Sequence, residues 1–341
     1  MVTVSLCMIV KNEEDKLEAC LNSLKDLVDE MIIVDTGSSD RTVEIAKSFG
    51  AKVFNFEWTG NFSDARNYSF EQATCDFIYS ADADETIDEN NQERFKKLKE
   101  DIDQLDIDVV QMYYCNQLSY NTVYNYDKEL RPKLFRRIRK FVWEDPIHEM
   151  VKVDSVVCNS DVEIQHNPSE NHGERDLAAF RNTINSGQYI SKRLHNLYAR
   201  ELCMVGTDTD FILAKKFFED SAADNTRDLD QIKEASCVLA HIAAMENNAE
   251  LLLKYSLKDL TTIPSSEMCY ELGNYYRKKG DLDEAIVWYY NAAYESTPIL
   301  NIHIGGDYAL QKISECYREL GNLEQAEDYE KEANKWTIPC N

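Results

Sequence analysis

The chain has 341 residues, with 37 Lys plus Arg against 62 Asp plus Glu and a net charge of −25. That balance excludes nucleic acid and anionic membrane as default partners, although a nucleotide can still bind where the surface is locally positive or carries a metal. Ten cysteines without one C-x-x-C pair exclude a zinc ribbon and a dithiol redox centre, and they suit reduced thiols in a cytosolic protein.

The length fits two domains. The opening apolar run is only a strand long and is followed by Lys11-Asn12-Glu13-Glu14-Asp15, the wrong flank for a signal peptide. No stretch reaches the ~20 apolar residues that span a bilayer, so a soluble cytoplasmic protein is expected.

Residues 3–10 read as a strand. Residues 14–27 read as a helix, because the apolar positions 17, 20, 21, 24 and 27 share one face. A β-branched strand over 31–34 ends at Asp35, and Thr36-Gly37-Ser38-Ser39-Asp40 is turn-forming, with Asp40 placed to cap a helix over 41–49. A strand over 51–56, a helix over 63–73 and a strand over 77–81 follow, and the last runs into Asp82-Ala83-Asp84-Glu85. This alternation predicts an α/β domain with a mainly parallel sheet and helices on both faces. Ligands of such sheets bind beyond the carboxyl ends of the strands. Asn12, Asp35 and Asp82-Ala83-Asp84 all fall there, so three polar motifs converge on one rim. Two aspartates two residues apart crowd negative charge, which a Mg²⁺ or Mn²⁺ ion bridging to phosphates would relieve.

Residues 107–165 are irregularly β-like, with strands expected over 109–114, 134–138 and 151–157. Arg131, Arg136, Arg137, Arg139 and Lys140 make this the most basic stretch. A polar break runs from His166 to Gly173, and the rest reads as helix. Leu272-Gly273, Tyr276, Gly280, Ala285, Tyr289, Ala292 and Pro298 have spacings that resemble the tetratricopeptide repeat. Tyr317, Gly321, Ala326 and Ala333 give a second copy, with Glu330 where an aromatic is expected and Tyr329 one place off. A more degenerate pair begins at Tyr198. The expected division is 1–165, a linker or lid with a connecting helix over 166–196, and a helical domain over 197–341.

Four ordered motifs carry a further resemblance. Residues 5–14, the turn Asp35-Thr36-Gly37-Ser38-Ser39-Asp40-Arg41-Thr42, the Ala65-Arg66-Asn67 triplet and Asp82-Ala83-Asp84-Glu85 resemble, in order and spacing, the family 2 glycosyltransferases. Trp143 to Glu149 resembles the Trp…His-Glu element of a bacterial subgroup with tetratricopeptide repeats, which includes bacteriocin S-glycosyltransferases and flagellin O-glycosyltransferases. The resemblance implies a GT-A fold over the first ~150 residues. It also implies a nucleotide-sugar donor, UDP-glucose or UDP-N-acetylglucosamine, used with Mn²⁺ or Mg²⁺.

Within that resemblance Asp35 contacts the base or ribose, with Val10 and Asn12 lining the same rim; the other role open to Asp35 is bonding its own turn. Arg66 faces the phosphate or ribose, or else makes a surface ion pair. Asp84 is the direct metal ligand and Asp82 lies toward ribose or metal-bound water, while Glu85 is an outer carboxylate or a solvated charge. Glu149 is the candidate base, with Asp145 as second choice. His148 completes the metal shell or touches the diphosphate. Arg131 and Arg136 bind the leaving diphosphate, or form a surface patch. His166 and His172 belong to the linker or to a lid. The expected activity is inverting transfer of a hexose or N-acetylhexosamine to Ser, Thr or Cys of a polypeptide. The helical half would bind that acceptor or make a homodimer. A lipopolysaccharide or other glycan acceptor, and a non-catalytic scaffold, are the competing readings.

Overall fold

The computed structural model describes residues 1–115, 128–167, 173–260 and 263–338, so His172 lies outside the described residues. The chain forms two compact units, Met1–Asn171 and His172–Asn341.

The first unit is built on an eight-stranded sheet. Its strands are β1 (Val4–Val10), β2 (Glu30–Asp35), β3 (Lys52–Asn55), β4 (Phe77–Ser80), β5 (Glu85–Thr86), β6 (Val109–Cys115), β7 (Glu129–Arg136) and β10 (Val157–His166). They lie in the order β3-β2-β1-β4-β7-β6-β10-β5. The pairs among β3, β2, β1 and β4 are parallel, as the alternation predicts. Beyond β4 the sheet is mixed, because β7 runs antiparallel between β4 and β6, and β5 runs antiparallel to β10. β8 (Trp143–Glu144) and β9 (Met150–Val151) form a separate small hairpin.

Side-chain alternation along β1 explains the two faces. Val4, Leu6, Met8 and Val10 pack with Leu17, Cys20, Leu21 and Leu24 of α1 (Leu17–Leu24) and with Phe95 and Ile102 of α4 (Glu89–Asp103). Ala46 of α2 (Thr42–Ser48) joins the same cluster. On the other face Cys7 packs with Ile32, Val34, Ile78 and Phe135, and with Phe70 of α3 (Phe62–Glu71). One residue of register slip would exchange these faces, so the buried pattern fixes the pairing.

β10 departs from expectation. Its polar residues Asn159, Asp161, Glu163 and Gln165 hide the strand in the sequence, but Val162 and Ile164 face the core and are fully buried. The strand therefore runs through His166, and the polar break starts one residue later. The expected strand over 134–138 ends at Arg136, where a 3₁₀ turn over Arg137–Arg139 replaces it.

The second unit is all helical, from α5 (Gly173–Asn185) through α6 (Lys192–Val205), α7 (Asp208–Ala223), α8 (Leu229–Met245), α9 (Ala249–Leu260), α10 (Ser266–Lys279), α11 (Leu282–Tyr290) and α12 (Asp307–Glu319) to α13 (Leu323–Lys335). Thr207 and Asp228 close capping boxes at the starts of α7 and α8. The α10–α11 hairpin shows why its repeat spacing matters. A Cβ at Gly273 would lie 2.6 Å from the Tyr289 ring, so only glycine lets the two helices approach with the tyrosine between them. In the next hairpin Tyr329, not residue 330, supplies the aromatic and stacks on Tyr317 at 5.7 Å, while Glu330 pairs with Arg318.

A buried polar knot ties α6, α7 and α8. His195 is fully buried, its Nδ1 is 2.6 Å from Glu234 and its Nε2 is 2.7 Å from Ser221 Oγ. Among the described residues no helix is long and apolar enough to cross a membrane, and all nine described cysteines are free thiols.

Candidate functional site

β1, β2 and β4 all end on one rim, and register places Val10 beside Asp35. The loop after β2 is tightly self-bonded. The Asp35 carboxylate is buried and accepts the Gly37 and Ser38 N–H groups at 3.3 and 3.1 Å. The Val10 carbonyl accepts both Thr36 N–H and Thr36 Oγ1. Asn12, at φ 55°, accepts Ser39 N–H at 2.8 Å. Asp40 takes Thr42 N–H and Oγ1 just before α2, and these hydrogen bonds outweigh burial to hold its carboxyl below the usual range. Asp35 thus serves its own turn, and Val10 and Asn12 hold the same loop.

Arg66 is the hub of the rim. It lies on α3 with only 12% of its side chain exposed, donates from Nη2 to Asp82 at 2.8 Å and from Nε to Glu149, and sits 4.9 Å over the Trp143 ring. Burial opposes its charge, but the carboxylates of Asp82 and Glu149 outweigh burial and hold the guanidinium above its ordinary range. Burial likewise opposes the Asp82 charge, and Arg66 followed by Lys133 keeps that carboxyl well below the usual range. Two carboxylates 67 residues apart in sequence are thereby joined through one planar fork.

Asp84 faces an imidazole: His166 Nε2 is 3.2 Å from its Oδ2. The antiparallel pair of β5 and β10 makes this contact, with His166 opposite Glu85, and Asn167 N–H donating to the Asp84 carbonyl. His166 therefore belongs to a strand end at the rim, not to a linker. Asp84, the half-exposed Asp82 and His166 offer carboxylate oxygens and an imidazole nitrogen. These donor types suit Mn²⁺, and the carboxylates suit Mg²⁺, although among the described residues the three do not converge within 4.8 Å of one another.

Behind them Glu85 is buried and pairs with Lys133 Nζ at 2.6 Å. Burial pushes the Glu85 carboxyl up to about 7; Lys133 works against that rise and Asp82 adds to it. The Tyr114 ring floors this corner, 5.0 Å from His166 and 4.0 Å from the Arg131 guanidinium, whose Nε donates to Glu129.

The structure does not bring Arg136 to the rim. It is opposite Phe77, at the start of β4, where it bonds the Ile107 and Leu105 carbonyls. Its side of β7 is the amino end of the parallel strands, because β7 runs antiparallel to β4. Asp145 and His148 lie with Glu149 on the segment that follows β8, at φ 75° and 49°. Lys133 and Tyr114 were not singled out, and His166 was expected in the linker or lid. Only the alternation in β7 and β10 could have pointed to Lys133 and His166.

The glycosyl transferase family 2 model matches residues 5–163. A TPR repeat-containing protein of Synechococcus elongatus is 32% identical over 340 residues, 98% of this chain and 75% of the relative. The prophage-derived glycosyltransferase SunS of Bacillus subtilis is 33% identical over 179 residues, which is 50% of this chain and 41% of that protein. Among solved structures, S. aureus TarS 1-349 in complex with UDP-GlcNAc covers 84% of this chain and 91% of its own at 17% identity and a TM-score of 0.41. The molecule is thus a glycosyltransferase built on a mixed eight-stranded sheet. The chain belongs to glycosyl transferase family 2.

Proposed function

We propose that this enzyme transfers a hexose or N-acetylhexosamine from a UDP-sugar to a Ser, Thr or Cys side chain of a polypeptide, with inversion and with a divalent ion, in a reducing cytosol. The observation that carries this reading is Arg66 held between Asp82 and Glu149, with Asp84 and His166 on the same rim. Asp84, Asp82 and His166 would hold the ion, with His148 the further candidate. When bound, the ion supplies neutralisation of the diphosphate leaving group.

The chain's own groups do the rest. Asp35 and the Asn12 loop receive the base and ribose, and Arg66 turns part of its fork to the diphosphate, as Arg131 does from β7. Glu149, with Asp145 as the alternative, accepts the proton of the acceptor hydroxyl or thiol. The acceptor oxygen or sulfur then bonds to the anomeric carbon on the face opposite the breaking bond to phosphate.

The helical unit supports a polypeptide acceptor. It has a cavity of about 560 Å³ lined by Lys192, Asn196, Lys233, Glu234 and Ile299, and helical repeats of this kind offer concave surfaces to extended chains. A glycan or lipid-linked acceptor draws support from exposed Ile138 and Val142 beside Arg137, Arg139 and Lys140. That corner lies at the Arg136 end of β7, away from the rim, which favours the polypeptide.

The test is a thermal-shift screen of the intact protein against nucleotide sugars with and without Mn²⁺ or Mg²⁺. A true donor at 100 times its Kd adds about 2.7 kcal/mol of stability. A UDP-sugar should raise the melting temperature only with the ion. A screen in which no nucleotide sugar raises it under either condition sinks the reading.

A further inference from the structure

α3 does more than present Arg66. Four of its residues grip the segment from Trp143 to Glu149, which carries both candidate bases. Phe62 N–H, one of the orphan donors at the helix start, bonds the Pro146 carbonyl at 3.0 Å. Ser63 Oγ donates to the Asp145 carbonyl at 2.5 Å. Arg66 reaches Glu149 and lies over Trp143. Asn67 takes both main-chain groups of Trp143: its Oδ1 accepts Trp143 N–H at 2.7 Å and its Nδ2 donates to the Trp143 carbonyl at 3.0 Å. Asn67 therefore pairs with Trp143 as a neighbouring strand would, with a side chain in place of a backbone.

The gripped segment is strained. Asp145 and His148 both hold positive φ, 75° and 49°, a conformation that side-chain-bearing residues adopt rarely and that persists only where the surroundings over-determine it. β9 pairs with β8 at Trp143 and Glu144, and α3 adds its hydrogen bonds to the segment between the two strands.

We propose that Asn67 is a positioning residue for the transfer step: by fixing Trp143 it sets where Glu149 stands against Arg66, and α3 thereby locks the acceptor side of the site to the donor side. This rests on the reading of Glu149 as the base. A displacement of about 1 Å at such a group lowers turnover far more than it lowers binding.

The experiment compares wild type, Asn67→Ala and Asn67→Asp in the full chain. Three readouts are taken: UDP affinity with Mn²⁺, UDP release from UDP-glucose and UDP-N-acetylglucosamine, and hydrogen exchange of the 143–149 amides. Asn67→Asp keeps the acceptor for Trp143 N–H, loses the donor and adds a negative charge, so it guards against misfolding of the alanine variant. Expected for Asn67→Ala are a tenfold or greater fall in kcat, donor KM and UDP affinity within threefold of wild type, and faster exchange confined to 143–149. Asn67→Asp should show the same pattern at smaller size. Unchanged exchange at 143–149 overturns the proposal, as does kcat within twofold of wild type, or UDP affinity falling as far as kcat. If wild type itself neither binds UDP nor releases it from either sugar, the donor reading fails, and the exchange data alone then decide the role of Asn67.

Discussion

Two polar knots in this chain have the same parts and opposite settings. At the rim, Arg66 joins Asp82 and Glu149, with Asp84 and His166 beside them, and Asp82 keeps 38% of its side chain exposed. In the helical unit, Ser221, His195 and Glu234 line up at 2.7 and 2.6 Å in the order hydroxyl, imidazole, carboxylate, the sequence of groups that activates a nucleophile. All three are at least 95% buried. The difference teaches that hydrogen-bond geometry by itself does not make a catalytic site. The buried hydroxyl and imidazole of this triad stabilise the packing of three helices, whereas Asp82 at the rim stays open to a substrate.

The comparison breaks if substitutions at the two knots do the same thing. The largest effect should be Asp84→Ala, which is expected to lower UDP release from the donor by 100-fold or more with Mn²⁺ present, while melting stays near wild type. Release that persists with both chelator and this substitution would remove the metal role. Glu149→Gln is next: turnover should fall by about 10²-fold with UDP affinity near normal, measured by steady-state kinetics and calorimetry. A parallel loss of UDP affinity would move Glu149 to the donor side. Ser221→Ala should do the reverse, leaving kcat within twofold and lowering unfolding free energy by about 1–3 kcal/mol, because a buried imidazole nitrogen loses its partner. Denaturant melts check this, and a tenfold loss of turnover would make the sealed triad functional.

The smallest effect concerns pH. Glu201 in α6 is buried, and burial together with Asp176 pushes its carboxyl up to about 8 from 4.5. The folded state therefore holds this proton more tightly than the unfolded state. Its stabilising contribution is full below about 4.5 and is lost as pH rises toward 8. Glu201→Gln should flatten the decline in melting temperature between pH 5 and 8 relative to wild type. An equally steep decline would assign the pH dependence to other groups.

The parallel half of the fold was legible because apolar period and turn chemistry act over a few residues. The Asp82 and Asp84 positions followed from that half, as did the rim. Arg66 and Glu149 were named separately, but nothing in the sequence placed them in one ion-pair network. What escaped depends on strand pairing between distant segments. Arg136 shares the basic stretch with Arg131, and only the direction of β7 separates the end that reaches the rim from the end that does not. His166 stood in a polar stretch, and its role exists only because β10 lies beside β5. Lys133 needed the same β7 register to meet Glu85. In the helical unit the Gly273–Tyr289 contact was foreshadowed by spacing, because repeats encode it locally. The His195 knot was not, because its members come from three helices.

On the proposed reading, the charges at the rim would also set an order of arrival. Asp82, Asp84, Glu85 and Glu149 stand against the permanent cations Arg66 and Lys133. With Glu85 ionised, two negative charges remain uncompensated, which is the charge of one divalent ion. A diphosphate entering alone would meet that excess and be repelled; after the ion it would meet a neutral pocket. Binding of the two ligands is then thermodynamically linked, so the factor by which the ion tightens the nucleotide is the factor by which the nucleotide tightens the ion.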